Sequence, residues 1–384
     1  MKKIFAILLA LVFVFALAGC APAAPAKLLF VDGFANKTNV LSITRGSSQI
    51  TVLPDKLGDG YFISPDGNQA IFVDQTRPAD NMTANLHVIN ASQPMKETVI
   101  PIPHDILYSI GDPADVRISF WGGKTYLEIR HFDFQTTITN FVVYTIANGN
   151  FVKVGQTHLD KPYAIYADNA GLPITEKVVL VDQDNPPHDW LYDFATGDIT
   201  PLFQLGNYLG FPHFSPDGKS YVYDTYFGEA SGKVCFELGR IEKEPTELIC
   251  KPFDLNTETG ITANNAIVAW SPNGKYVAVS FDQGHAAAAW LYLIDVSSNT
   301  PKIVKQALLP GSVDDGRWSP DSTLLGFSTF SLDPNAHPVG GIYTIGPNAP
   351  LSLEYSDPKW ESYVSDPSGE TGGIFLVWFM GWTK

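Results

Sequence analysis

The chain has 384 residues, of which 45% are hydrophobic and 12% aromatic, so it can bury a substantial core. Its 32 glycines and 28 prolines favour a fold with many turns over one with long helices. The formal net charge of −15 leaves no basic stripe that could neutralise phosphates, which argues against a nucleic-acid partner.

The first twenty residues have the pattern of a targeting signal. Lys2 and Lys3 precede the apolar stretch Ile4–Ala18, which is short for a membrane-spanning helix, and small residues then lead to Cys20. This arrangement resembles the bacterial lipoprotein signal, whose cysteine is lipidated and becomes the mature N-terminus. An ordinary secretory signal or a transmembrane anchor is the alternative. The resemblance implies removal of residues 1–19 and attachment of Cys20 to the bacterial cell membrane, on its extracytoplasmic side.

A short linker follows the lipidation site. Residues 20–26 contain the lipidated cysteine and then only alanine and proline, a composition that favours an extended tether. Because the protein is acidic, it is not drawn to anionic lipid by charge, so the acyl chains must provide the membrane attachment. We therefore expect the folded domain to comprise residues 27–384.

One turn motif recurs along the folded domain: Ile63-Ser-Pro-Asp-Gly67, Phe214-Ser-Pro-Asp-Gly218, Trp270-Ser-Pro-Asn-Gly274 and Trp318-Ser-Pro-Asp321. Proline presets φ for a tight turn, Asp or Asn bonds to nearby backbone, and glycine accepts positive φ. A large apolar residue precedes each turn and an apolar run follows it. Four copies at compatible spacing predict a repeat protein built of short strands.

The spacing of the repeat predicts the blade count. Units begin near residues 61, 118, 163, 212, 268 and 316, and each step is the length of one four-stranded propeller blade plus its loops. Three strand-like segments at the start (Lys27–Val31, Val40–Ile43, Gln49–Leu53) and one at the end (Ile374–Phe379) complete a further blade and close the ring. The sequence thus predicts an all-β, seven-bladed β-propeller. Six or eight blades stay open, because two units lack the turn motif.

The repeat resembles the WD40-like propeller repeat of the TolB type. The resemblance is strongest where the aromatic-Ser-Pro-Asn-Gly-Lys turn and its strand, Trp270–Ser280, are followed by Leu291–Val296. It covers nearly all of residues 27–384. It implies a binding or scaffolding role, because repeats of this type occur in many unrelated proteins.

Two cysteines lie inside the folded domain. Cys235 and Cys250 occupy strand-like segments joined by the polar turn Glu242–Pro245, so a hairpin centred on that turn would place them opposite each other. Outside the cytoplasm this arrangement favours a disulfide, whereas two buried free thiols are the alternative.

No catalytic motif accompanies the repeats. Gly218-Lys-Ser220 ends like a P-loop, but His213 stands where the first glycine is required. Neither Gly-x-Ser-x-Gly nor His-Glu-x-x-His occurs in the sequence. Peptidases that contain a propeller also carry a large α/β hydrolase domain, for which the predicted blades leave no room. We therefore expect a protein without catalytic activity.

Histidines and aspartates collect in the segments after the second strand of several units. In a four-stranded blade these segments lie on the face opposite the Ser-Pro-Asp turns. A candidate binding rim on that face comprises His131, Asp182, Asp184, His188, Asp189, Asp224, Asp282, His285 and His337. Such a rim could bind a divalent cation or a basic partner, whereas aspartates that only bond loop backbone are the alternative.

These observations lead to one principal hypothesis. The protein is a monomeric, lipid-anchored, extracytoplasmic propeller that binds a protein or peptide and has no cofactor. The alternative is a carbohydrate- or metal-binding module, or a hydrolase, that uses the histidine- and aspartate-rich rim.

Overall fold

The computed structural model describes residues 27–383 except for the segments 35–36, 45–49, 53–61, 65–67, 77–81, 91–96, 112–114, 122–123, 134–137, 148, 158–162, 166–176, 183–187, 203–211, 228–232, 242, 253–260, 263–266, 284–287, 331–339 and 357–374. The predicted signal, Cys20 and the tether therefore lie outside the described residues. The described part of the chain forms strands and one short helix, α1 (His104–Leu107).

The strands assemble into seven antiparallel sheets, and each sheet is one blade of a propeller. Blade 1 contains β1 (Lys27–Phe34), β2 (Lys37–Thr44), β3 (Ile50–Val52) and β29 (Phe375–Thr383). Blade 2 contains β4 (Phe62–Ile63), β5 (Gln69–Thr76), β6 (Thr83–Asn90) and β7 (Glu97–Pro101). Blade 3 contains β8 (Asp115–Trp121), β9 (Lys124–Asp133), β10 (Ile138–Ala147) and β11 (Asn150–Gln156).

The remaining four blades follow in chain order. Blade 4 contains β12 (Tyr163–Ile165), β13 (Lys177–Asp182), β14 (Asp189–Asp193) and β15 (Ile199–Pro201). Blade 5 contains β16 (Pro212–Phe214), β17 (Ser220–Phe227), β18 (Lys233–Arg240) and β19 (Lys243–Pro252). Blade 6 contains β20 (Ile261–Thr262), β21 (Val268–Trp270), β22 (Tyr276–Gln283), β23 (Ala288–Asp295) and β24 (Lys302–Pro310). Blade 7 contains β25 (Ser312–Trp318), β26 (Leu325–Phe330), β27 (Gly340–Gly346) and β28 (Ala349–Tyr355).

The two ends of the chain meet in blade 1. Strand β29 pairs antiparallel with β1, from Lys27 opposite Thr383 to Phe34 opposite Phe375. The C-terminal strand is thus the first strand of a sheet whose other three strands come from the start of the domain. The predicted seven blades and the predicted closure are both confirmed. The closing strand extends further than predicted, to Thr383, and so includes Trp382.

A serine hydroxyl organises each of the three Ser-Pro-Asp/Asn turns that the structure describes in full, those of Ser215, Ser271 and Ser319. It donates to the Asp or Asn side chain two residues later and accepts from the backbone N–H five residues later. In blade 6, for example, Ser271 Oγ lies 2.8 Å from Asn273 Oδ1 and 2.8 Å from the Tyr276 nitrogen. The hydroxyl therefore fixes where the second strand begins. We call the side of the ring that carries these turns the turn face, and the opposite side the rim face.

The turn of blade 7, the last of the four, has serine instead of glycine at a position with left-handed backbone conformation. Gly274 has a φ of 67°, and Ser322, at the equivalent place in blade 7, has a φ of 61°. A residue with a side chain is disfavoured there. The Ser322 hydroxyl accepts a hydrogen bond of 3.1 Å from the Asn273 nitrogen in blade 6. This bond between neighbouring turns offsets part of the conformational penalty.

Tryptophans link the first strands of successive blades. The Trp270 indole N–H donates to the His213 carbonyl over 2.8 Å, and the Trp318 indole donates to the Ala269 carbonyl over 3.0 Å. Trp382 repeats the pattern by donating to the Arg317 carbonyl over 2.9 Å. In each case the acceptor directly precedes the aromatic residue of the preceding blade. We call these three bonds the tryptophan ladder; it joins blades 5, 6, 7 and 1.

The core is divided among the gaps between blades. Ala278 and Leu291 of blade 6 pack with Val313 and Phe327 of blade 7, and each of these four side chains is fully buried. Similar apolar clusters lie between blades 2 and 3, 4 and 5, and 5 and 6. Since each of blades 2 to 7 buries apolar surface against at least one neighbour, packing between blades supplies stability that a single four-stranded sheet lacks.

Cys235 in β18 lies directly opposite Cys250 in β19. Their Cα atoms are 4.1 Å apart, and their sulfur atoms are joined in the structure. Both residues lie in the predicted hairpin. Formation of the disulfide in the purified protein stays a prediction.

We expect peptide mapping under non-reducing conditions to recover the segments around Cys235 and Cys250 as one linked species. The Cys235→Ala and Cys250→Ala double variant should lose about 3 kcal/mol of unfolding free energy, since a cross-link of this loop length restricts the unfolded chain. Urea unfolding of the variant and of the parent protein measures the loss. Recovery of two unlinked thiols from oxidised protein would contradict the disulfide.

Candidate functional site

The predicted rim is only partly visible in the described residues. His131 lies inside β9, Asp182 ends β13, Asp189 begins β14, Asp224 lies inside β17 and Asp282 lies inside β22. His188 directly precedes β14 and is exposed. Asp184, His285 and His337 lie outside the described residues, as do the side chains of Asp182 and Asp224. The expectation that His131 lies in the segment between the second and third strands is therefore wrong, because it belongs to β9. The four aspartates belong to strands as well. The role of all these residues in ligand binding stays a prediction.

Asp189 forms a hydrogen bond between two blades. Its carboxylate is 2% exposed and accepts a 2.7 Å hydrogen bond from the Tyr223 hydroxyl of blade 5. The pKa of the adjacent Tyr221 is raised to about 12, first by burial and then by the charges of Asp189 and Glu237. Asp189 is thus enclosed between blades 4 and 5 and does not face solvent.

Asp282 has the same kind of position between blades 6 and 7. It is 1% exposed, and its Oδ2 accepts a 3.0 Å hydrogen bond from the Ser312 hydroxyl of blade 7. Burial raises the pKa of Asp282 to about 7, the Ser312 bond lowers it, and the nearby Asp314 charge raises it further. At neutral pH this carboxyl group is therefore close to its midpoint of ionisation.

His131 packs beneath the segment that follows α1. A Cβ atom placed on Gly111, whose φ is 116°, would lie 2.8 Å from the His131 ring. Gly111 is therefore required both for its backbone conformation and for the close approach of the imidazole. The rim members among the described residues sit in four different blades. None of those whose side chains are described belongs to a group of three His, Cys, Asp or Glu side chains close enough to share a metal ion.

A groove on the turn face is formed by two successive turns of the repeat. It has a volume of about 320 Å³ and lies between blades 5 and 6. Pro216, Trp270 and Pro272 form apolar parts of its wall, whereas Asp217 and Arg240 supply opposite charges. Small-molecule and peptide sites commonly combine apolar walls with a few fixed polar groups in this way.

The fold fixes the polar groups of the groove. Asp217 Oδ1 accepts from the Ser215 hydroxyl over 2.8 Å and from the Lys219 N–H over 3.1 Å. Although burial opposes it, the net effect of these bonds is to lower the pKa of Asp217, which therefore carries a negative charge at neutral pH. Arg240 ends β18 and donates to Asn299 Oδ1 over 3.3 Å.

The chemistry of the groove suits binding better than nucleophilic catalysis. Among the described residues that line it there is no histidine or cysteine. Ser215 is 3% exposed, and its hydroxyl is engaged with Asp217 and with the Ser220 carbonyl. A nucleophilic serine needs an effective base and access to substrate, whereas Ser215 is buried and its neighbour Asp217, with a lowered pKa, is a weak base.

The sequence interpretation gives the Ser-Pro-Asp/Asn turns only a structural role, so it does not predict the groove between them. Two features of the sequence could have indicated the groove. Consecutive units carry complete turn motifs, and the first of these units also has Arg240 at the end of a strand. Consecutive blades place such turns side by side.

Solved structures with the same architecture extend over most of this chain. The β-propeller domain of the Trilobed protease from Pyrococcus furiosus is 11% identical, with coverage of 86% of this chain and 96% of its own and a TM-score of 0.52. Oligogalacturonate lyase from Vibrio parahaemolyticus is 14% identical, with coverage of 83% and 86% and a TM-score of 0.51. A putative TolB from Agrobacterium tumefaciens is 12% identical, with coverage of 77% and 95% and a TM-score of 0.42.

The chain is a seven-bladed β-propeller. The predicted resemblance to propellers of the TolB type is confirmed as a resemblance of fold. At these identities the likeness shows the fold alone, and a lyase and a protease domain share it. No protein-family model matches the sequence, and no curated protein matches it. In the described part of the chain no helix is long and apolar enough to cross a membrane.

The buried carboxyl group of Asp282 makes a pH dependence testable. Its folded pKa of about 7 lies above the ordinary value of 3.8, so the folded state retains a proton that the unfolded state releases. Stability should therefore fall as pH rises from about 4 to about 7, by up to about 4 kcal/mol, since one pKa unit corresponds to about 1.4 kcal/mol.

The variant Asp282→Asn keeps the Ser312 bond and removes the charge. In buffer with a chelator we expect it to be more stable than the parent protein at pH 8 and not at pH 4, measured by urea unfolding. Asp198→Asn, at an exposed turn in blade 4, is the matched control and should show no such difference. Equal pH dependence in Asp282→Asn and the parent protein would contradict this account.

Proposed function

We propose that this chain is a lipid-anchored, extracytoplasmic scaffold that binds a protein or peptide in the groove between blades 5 and 6. The observation that carries the proposal is the groove itself, where apolar walls and two fixed charges meet on a surface built from the turns of the repeat. The propeller fold hosts enzymes as well as binding proteins, so the argument rests on the groove and not on the fold.

An extended peptide matches the groove in size and chemistry. Its volume of about 320 Å³ accommodates a few side chains, not a folded domain. The Arg240 guanidinium can bind a carboxylate, and the Asp217 carboxylate can accept from an amine or a backbone N–H. The exposed ring of Pro272 and the half-buried Trp270 offer apolar contact between these charges. A partner segment with both charges and an apolar side chain would engage all of these groups.

Membrane attachment is the second part of the proposal. It rests on the sequence pattern of residues 1–19, on Cys20 and on the tether of residues 20–26. A tethered propeller at the membrane surface meets envelope proteins at high effective concentration, which suits a scaffold whose individual contacts are weak.

Site-specific crosslinking tests the binding site. A photoreactive amino acid at position 240, in the groove, should crosslink the full-length protein to a discrete partner in cells. The same substitution at position 152, on the outer strand of blade 3 and 56% exposed, is the matched control and should not give that product. Arg240→Glu should abolish partner capture, whereas Lys153→Glu, with the same charge change on β11, should not.

The outcomes separate the groove from the rim. If Arg240→Glu leaves the partner bound and the double variant Asp184→Ala, His188→Ala loses it, the binding site lies on the rim face and the groove proposal is wrong. If the full-length protein turns over a glycan or ester and that same double variant does not, the protein is a hydrolase and the scaffold proposal is wrong. Identical crosslinks from positions 240 and 152 would also contradict binding in the groove.

A further inference from the structure

The chain enters the propeller on the turn face. In blades 5, 6 and 7 the aromatic residue that ends the first strand pairs with a residue at the start of the second strand, directly beside the turn. In blade 1, Trp382 of β29 pairs with Leu28 of β1 in the same way, and its indole belongs to the tryptophan ladder. Lys27 therefore lies at the turn-face end of β1. The proposed tether, residues 20–26, leads to this point from Cys20.

The reach of the tether limits how the ring can sit on a membrane. Between Cys20 and Lys27 the chain spans at most about 25 Å, since an extended chain advances about 3.3–3.6 Å per residue. Strand β1 has 8 residues and so covers about 25 Å between the two faces. To place the rim face on the lipid, the tether would have to run the full height of a blade before it reached Lys27. The anchor therefore favours an approach of the turn face or of the side of the ring.

Exposed charges favour the turn face over the side of the ring. The turn face carries the turns between first and second strands and between third and fourth strands. Among the described residues there and at the adjoining strand ends, the exposed basic side chains are those of Lys27, Lys124, Lys219, Lys243, Lys275 and Lys302, and the exposed acidic ones are those of Asp198, Asp217 and Asp321. These exposed side chains are net positive in a chain whose formal net charge is −15. Lysines near anionic headgroups are attracted to them, so the lysines orient the ring while the acyl chains attach it.

The groove between blades 5 and 6 opens on this same face. Its wall includes Pro216 and Asp217 of one turn and Pro272 and Asn273 of the next, so a bound segment lies level with the turns. When the turn face is within about 25 Å of the lipid, the space beside the groove admits an extended chain more readily than a large folded domain. A partner that reaches the groove is therefore one that is already close to the membrane surface.

We propose that the turn face is held toward the membrane and that the groove binds an extracytoplasmic juxtamembrane segment of a membrane-inserted protein. This inference rests on the proposed lipid anchor and binding groove, and it adds the orientation of the ring and the class of partner. Such a segment is held beside the lipid by its own membrane-spanning helix. Attachment of both proteins to one membrane raises the effective concentration of each for the other.

Energy transfer to labelled lipid measures the orientation. The full-length, lipidated protein is reconstituted into vesicles that contain phosphatidylglycerol and carry an acceptor dye on their headgroups. A donor dye is attached through a non-canonical amino acid at position 243 or at position 233; both are exposed lysines of blade 5, at its turn-face and rim-face ends. Because the 8 residues of β18 separate these ends, we expect the donor at position 243 to be about 20 Å nearer the lipid.

Two results of this measurement count against the proposal in different ways. Equal transfer from the two positions, or stronger transfer from position 233, in protein that floats with the vesicles would overturn the orientation and leave the lipid anchor intact. Protein that does not float with the vesicles would contradict the anchor, and the orientation with it.

Mass spectrometry of the crosslinked peptide tests the class of partner. For the product captured in cells from position 240, we expect the partner's crosslinked residue to lie within about ten residues of a membrane-spanning helix, because an extended chain of that length reaches about 35 Å. Capture of a soluble protein, or of a segment remote from any membrane-spanning helix, would overturn this inference and leave the groove proposal intact. Capture of no partner from position 240 would contradict the groove proposal itself, and this inference with it.

Discussion

One type of hydrogen bond, from a tryptophan indole to the backbone of the preceding blade, occurs three times and determines how four of the seven blades meet. Trp270, Trp318 and Trp382 each donate to the carbonyl that precedes the equivalent aromatic residue one blade earlier. The Trp318 bond is buried and the other two are partly buried, and each depends on both blades keeping their places. Because Trp382 lies in the closing strand, the same bond that spaces blades 5, 6 and 7 also connects the C-terminal strand to the ring.

The two faces of the propeller follow from this arrangement. The ladder holds the first strands at fixed spacing, and the serine hydroxyls fix where the second strands begin, so the turns of blades 5 and 6 stand side by side and enclose the groove. On the rim face, Asp189 and Asp282 are enclosed between blades and accept hydrogen bonds from hydroxyl groups of the next blade. The two rim carboxylates whose side chains the structure describes act between blades, and the groove lies on the turn face.

The sequence predicts the architecture well because the repeat encodes it locally. A serine, a proline and an Asp or Asn specify each turn, and their spacing reveals the blade count and the ring closure. Sites between blades are different, since they depend on residues far apart in the chain. The hydrogen bond from Tyr223 to Asp189 joins residues 34 positions apart, and no local sequence pattern predicts it. Trp382 lacks the Ser-Pro-Asp continuation that marks Trp270 and Trp318, so its place in the ladder emerges only from the strand pairing. For Asp189 and Asp282, residue type therefore suggested ligand-binding positions where the packing contains buried contacts between blades.

Hydrogen exchange of the indole N–H groups tests the tryptophan ladder most directly. In the purified protein, the account predicts that the indole protons of Trp270, Trp318 and Trp382 exchange only through global unfolding, with the same free energy of opening. Single Trp→Phe variants assign the three resonances. Exchange of the Trp382 indole through a much smaller opening free energy than that of Trp270 and Trp318 would contradict the account, because the closing strand would then open independently of the ring.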